Sequence, residues 1–353
     1  MKTFFVISLL GVMFFSCDGK KYSGSQGLSV TGKVGEILVV CDQGIWDSEI
    51  KTALDSNLTQ FIMPYFPDVA TFDLVHKTPS HFEQGVKRFR NTLMLTIDPK
   101  ANLKEAEITK RENVFAHGQL IIEILAKDYN QLLEACKHKT RLVHNEFDVY
   151  EWKRIEKAFK EKKNPRVDEA IKSNFGISIA LPDEARLVSK RANFFRIELP
   201  VASRPIEFVG GGGQDIGAIL SGVMIYQYPY LDSSQFVLEK LLQDRDTMLK
   251  YNVPHEIEGM YMGTQYHEFV YPEGNKLISS DQSVQGYEVR GMFAFKGKFK
   301  NGTGGAFWSF HFKHPKRNQL ITVSGYVDAP STTSWTHAIR EIQAIINSVS
   351  IAK

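Results

Sequence analysis

The chain has 353 residues, with 43 lysines and arginines against 40 aspartates and glutamates and a formal net charge of +3. A balance so close to neutral, without a basic stripe, excludes a dedicated nucleic-acid binder. With 43% hydrophobic and 12% aromatic residues, the chain can bury the core of one large domain or two ordinary ones.

Met1 and Lys2 precede an apolar stretch from Thr3 to Phe15, broken only by Thr3, Ser8 and Gly11. A helix needs roughly 20 residues to cross a bilayer, so this stretch is too short to span and fits the apolar region of an export signal. Ser16 and Cys17 close it. A small residue before a cysteine resembles the bacterial lipobox, in which the small side chain admits the peptidase and the thiol takes the lipid. On this reading residues 1–16 are a lipoprotein signal peptide and Cys17 anchors the chain to a membrane. The alternative is an ordinary cleaved signal with an incidental cysteine. Several acyl chains hold a protein stably where a single one is marginal. Residues 17–32 then form a lipidated flexible tether, rich in Gly, Ser and Lys, with Lys20 and Lys21 near the bilayer surface. No second apolar segment approaches membrane length, so the body is expected to be soluble.

EILVVC (36–41) is apolar on both faces, as in an interior strand covered on two sides. Trp46, Ile50, Ala53, Leu54 and Leu58 recur at helical spacing. FDLVH (72–76) predicts a second strand, and Ser80 with Glu83 predicts a helix start before Phe82, Val86 and Phe89. NTLMLTID (91–98) and GQLIIEILA (118–126) predict two more strands. Asp128 and Gln131 open a helix through Cys136, and helical spacing resumes at Trp152, Ile155 and Phe159. Strand and helix thus alternate through an N-terminal α/β lobe, residues 33–163. Cys41 and Cys136 fall on a strand and a helix; a disulfide is one option, and two buried free thiols the better one.

KEKKNPR (160–166) is polar and carries Pro165, the best candidate boundary. Beyond a short helix ended by Gly176, strands dominate a C-terminal α+β lobe, residues 164–353. They are ISIAL (177–181), NFFRIEL (193–199), VMIYQYPY (223–230), regions near 260–271, 287–300 and 306–313, and LITVSGYVDA (320–329). A helix through Leu241, Leu242 and Leu249 interrupts them, and Trp335, Ile339, Ile342 and Ile346 mark a closing helix. The expected fold is therefore α/β and α+β in two lobes, each a mixed or antiparallel sheet flanked by helices.

GKVGEILVVCD with Trp46 downstream, FRNTLMLTID, FAHGQLIIEI, EVRGMFAF, GGAFWSFHF and GYVDAP before a final helix occur in this order. Together they resemble an uncharacterised domain-of-unknown-function family of Bacteroidetes lipoproteins, over about residues 32–350. The resemblance implies an envelope lipoprotein and supplies no activity, ligand or catalytic residue. CDGKK lacks the acidic run that follows the lipidated cysteine of many surface-exported relatives, so a periplasm-facing position on the outer or inner membrane is expected.

Four residues stand out as ligand-binding candidates. Arg90 and Asn91 start the NTLMLTID strand, and Arg290 and Gly291 lie inside an apolar strand. An arginine on a strand presents a rigid fork to a carboxylate or phosphate, and a glycine lets a ligand come close. The competing reading pairs Arg290 with Glu288, two residues away on the same face. VGGGGQDIG (209–217) lacks the Lys-Ser or Lys-Thr of a phosphate loop and reads as a connecting loop. His311 and His314 point to opposite faces of a strand, so no metal or cofactor is expected. Trp308, Phe310 and Phe312, with Tyr326 and Trp335, suit a stacking platform but are explained more cheaply as core. No serine-hydrolase motif occurs, although a triad assembles from distant residues. The leading expectation is a non-enzymatic envelope protein that binds a small ligand or an envelope partner. A hydrolase with a hidden triad and a structural assembly factor are the alternatives.

Overall fold

The computed structural model describes residues 28–207, 214–297, 304–329 and 335–352. The signal, Cys17, Lys20 and Lys21 lie outside the described residues, as does most of the VGGGGQDIG stretch.

The first half builds a five-stranded sheet. In chain order it comprises β1 (Glu36–Val40), α1 (Gln43–Trp46), α2 (Glu49–Leu58), β2 (Asp73–Lys77), β3 (Asn91–Ile97), β4 (Glu107–Glu112), β5 (Leu120–Ala126), α3 (Tyr129–His138) and α4 (Thr140–Glu161). The strand order is β2-β1-β3-β5-β4, parallel except for β4. Ile37 and Val39 face α2, α3 and α4, whereas Leu38 and Val40 pack on Phe82, Phe89 and Phe115. Cover on both sides is why β1 is apolar throughout. Asp128 caps α3 by accepting from the Gln131 N–H at 2.8 Å. The helix expected after Ser80 is instead two short 3-10 turns, Pro79–His81 and Val86–Arg88. Gln84 between them has φ of 38°, and the Ser80 hydroxyl bonds Thr78 rather than capping a helix.

The second half comprises α5 (Pro165–Phe175), β6 (Ile177–Ser178), β7 (Arg186–Arg191), β8 (Phe194–Glu198), β9 (Ala202–Glu207), β10 (Gln214–Pro229), α6 (Leu238–Asn252), β11 (Tyr261–Thr264), β12 (Glu273–Ile278), β13 (Gln285–Lys296), β14 (Gly304–Lys313), β15 (Gln319–Asp328), α7 (Thr336–Asn347) and β16 (Ser350–Ile351). Asn164 caps α5, Pro165 takes its first turn, and Gly176 ends it at φ of 68°. A nine-stranded antiparallel sheet runs β11-β13-β14-β15-β10-β8-β7, with β12 on β13 and β9 on β10. The expected ISIAL strand shrinks to Ile177–Ser178, because Ala180 spends its N–H on the Ser348 hydroxyl instead of a neighbouring strand.

Both faces of the central strands of this sheet are buried, against different helices. Trp308, Phe310, Phe312 and Val323 meet Trp335, Ile339, Ile342 and Ile346 around α7. Phe307, Met224, Phe293 and Tyr326 meet Leu241, Leu242 and Leu249 on α6. Tyr326 therefore lies on the opposite side from the Trp308 row, and the five aromatic residues form no single platform.

The halves share their core. Ile62, Tyr65 and Val69 from the first half pack among the α7-side residues, and the Tyr65 hydroxyl donates to the Phe307 carbonyl at 3.2 Å. On α7, the buried Arg340 pairs with Asp148 of α4, donates to the Thr71 carbonyl at 2.6 Å, and lies 4.6 Å over the Phe72 ring. Among the described residues no helix is long and apolar enough to cross a membrane.

Candidate functional site

The α6 face of the large sheet carries a cavity of about 670 Å³ beyond the C-terminal end of α6. Strand registers explain its chemistry. Glu198 of β8 stands between Arg186 of β7 and Gly222 of β10, and Gly222 pairs with Tyr326 of β15. These positions form one cross-strand row. A side chain at Gly222 would meet the Tyr326 hydroxyl at 2.5 Å, so the glycine leaves the space the phenol occupies. Arg196 precedes Glu198 by two residues and Asp328 follows Tyr326 by two, so both share that face. Met262, Phe293 and Phe295 supply an apolar wall. His255 sets its ring 4.6 Å from Phe295 and accepts from the Ile257 N–H at 3.0 Å.

Charge is unevenly settled there. Glu198 meets Arg196 at 3.2 Å and Arg186 at 3.5 Å, two cations on one carboxylate. Among the described residues the Arg196 Nε is buried with no hydrogen-bond partner. Asp328 makes no side-chain hydrogen bond and no ion pair among the described residues, and burial lifts its carboxyl above the usual range. Tyr326 sits between the two ends. Burial raises its phenol, Arg196 opposes that shift, and Glu198 and Asp328 reinforce it.

The residues singled out in the sequence lie elsewhere, in two separate places. Arg90 and Asn91 belong to a buried network on α4. Arg90 pairs with Glu151 at 2.6 Å, Asn91 donates to Glu151 at 2.6 Å, and Arg154 donates to it at 2.8 Å. Arg154 also donates to the carbonyls of Gly118 and Arg90 and to the Asn91 side chain. Arg290 reaches Glu288 at 3.3 Å and stacks 5.0 Å over Trp308, whose indole N–H donates to Glu288 at 2.8 Å. A side chain at Gly291 would come within 2.8 Å of the Phe307 ring and 3.0 Å of Pro272, so protein atoms fill the space it leaves. Among the described residues the two arginines share no partner, and neither lines the cavity.

Residues 164–348 match the family described as Domain of unknown function (DUF4837). The chain belongs to the DUF4837 family. Residues 30–160 match a second one, Domain of unknown function (DUF8532), and the two matches meet at the turn between α4 and α5. The cavity is built wholly from the DUF4837 region, and the Arg90 network wholly from the other. No curated protein matches the chain in sequence. Among solved structures, the chain is similar to the Ran-binding protein Mog1p of Saccharomyces cerevisiae, at 11% identity and a TM-score of 0.30 over 50% of this chain and 91% of that one. It is also similar to LpqN, involved in cell envelope biogenesis of Mycobacterium tuberculosis, at 16% identity and a TM-score of 0.26 over 50% of this chain and 83% of that one.

One serine does meet a histidine in the DUF4837 region. Ser309 Oγ lies 2.8 Å from His311 Nε2, and His311 Nδ1 lies 2.8 Å from the Thr322 hydroxyl. All three are sealed between sheet and α6, at 0%, 1% and 0% exposure, so no substrate reaches the pair. Burial and then Arg245 lower the His311 pKa to about 3, which keeps the ring neutral and a weak base. His314, on the other face, contacts the Gly176 carbonyl. Among the described residues no three His, Cys, Asp or Glu side chains gather as metal ligands. Cys41 and Cys136 are buried and unbonded, and burial is the main cause that pushes both thiols up to about 12.

Proposed function

We propose that the protein is a lipid-anchored component of the bacterial cell envelope that binds a small ligand in the cavity beside α6, without chemically altering it. The cavity is the observation that carries this reading. Its 670 Å³ falls within the roughly 300–1,000 Å³ of small-molecule sites, and an apolar wall with a few convergent polar groups is the usual make-up of such sites. The apolar leader and Cys17 support the envelope location. The sealed Ser309–His311 pair favours binding over hydrolysis.

Leu220 lines the cavity and is 48% exposed, so a larger side chain there fills the cavity without entering the core. Native mass spectrometry of the protein purified from envelopes is expected to show a retained small molecule on the wild type and none on Leu220→Trp. Equal occupancy of the two proteins, or a wild type with nothing bound, would remove the cavity as the site. The anchor has its own check. Cys17→Ser is expected to shift the protein from the membrane to the soluble fraction, and unchanged membrane association would defeat it.

A further inference from the structure

We infer that the cavity recognises a short apolar peptide with both ends free, Asp328 taking the terminal ammonium, the Arg186–Arg196 corner the terminal carboxylate, and Phe295 an apolar side chain. The inference rests on the cavity being a ligand site and names what enters it.

Three observations converge. Asp328 is a half-buried carboxylate without a side-chain partner among the described residues, and the natural complement of such a group is a cation with hydrogens to donate. At the other end two arginines, Arg186 and Arg196, share the single carboxylate of Glu198. Those three groups carry one surplus positive charge, which suits an anion. Between the ends stand Tyr326 and the wall of Met262, Phe293 and Phe295, which suit an uncharged, apolar middle.

The span selects a peptide over a single amino acid. Arg196 lies opposite Met224, and Met224 opposite Ser324, four residues before Asp328. With strands about 4.8 Å apart and a rise of about 3.3 Å per residue, the two backbones are on the order of 16 Å apart. The arginine side chain closes part of that distance. Two or three extended residues, at most about 3.6 Å each, cover the rest.

The test uses the full-length protein in detergent and the tripeptide Leu-Phe-Leu in four forms: free, N-acetylated, C-amidated and capped at both ends. A hydrogen bond to a charged group is worth enough that capping either end is expected to weaken binding about tenfold or more, measured by calorimetry. Asp328→Asn should abolish the difference between the free and N-acetylated forms while leaving the C-amide penalty in place. Its thermal unfolding should match wild type, since the carboxylate has no partner to lose. Equal binding of the free and doubly capped peptides overturns the assignment. So does an Asp328→Asn protein that still discriminates against the acetylated form. Absence of binding by every form also overturns it, and the Leu220→Trp comparison then decides separately whether the cavity holds some other ligand.

Discussion

Replacing Glu151 by alanine is expected to lower stability by about 3–5 kcal/mol, the usual cost of removing one partner from a buried charge cluster. Glu151 is fully buried and, among the described residues, is the only acidic side chain that contacts Arg90, Asn91 and Arg154. Without it, Arg90 and Arg154 remain as two facing cations in a site with little water to screen them. Glu151→Gln keeps the shape and one acceptor, so it should fall between wild type and alanine. Urea unfolding followed by tryptophan fluorescence reads the order. If Glu151→Ala lost less than about 1 kcal/mol, at the level of an exposed ion pair, the network would not be the clamp that holds α4 to the sheet.

Arg340→Leu is expected to cost about 3 kcal/mol, somewhat less than the Glu151 change because Asp148 is 23% exposed and water can partly replace its partner. The arginine joins α7 to α4 and to the Thr71 carbonyl, so its loss acts where the two halves meet. Adding Asp148→Leu should recover much of the loss, since an apolar pair of similar bulk often substitutes for a buried ion pair without net cost. A double variant no more stable than Arg340→Leu would show that the Thr71 and Phe72 contacts, rather than the ion pair, carry the effect.

The sequence made the layered fold readable wherever burial imposed a pattern. EILVVC stood out because both its faces are covered. The pairing of Arg290 with Glu288 was visible because two residues on one strand share a face. Glu151 was not visible as the partner of Arg90: it sits on a helix 61 positions away, and charged helix residues are normally solvated. EITKRE hid β4, because an edge strand with charged side chains has little apolar alternation to show. The cavity escaped for a similar reason. Its residues come from six strands and the loops between them, from 186 to 328, each ordinary where it stands, and Asp328 lies at the end of the LITVSGYVDA run. Only the registers of β7, β8, β10 and β15 bring it opposite the two arginines. The turn at Ser80 shows the opposite failure: the local capping signal is there, but the Ser80 hydroxyl bonds Thr78 and the chain turns at Gln84.

The way Ile62, Tyr65 and Val69 are built into the sheet of the other half has an evolutionary consequence. The two regions matched by separate families are not beads on a string. A gene encoding residues 164–348 alone would yield a body with an oily scar where those three side chains dock. Its product would need a second polypeptide to cover the wound, or substitutions there that let water in.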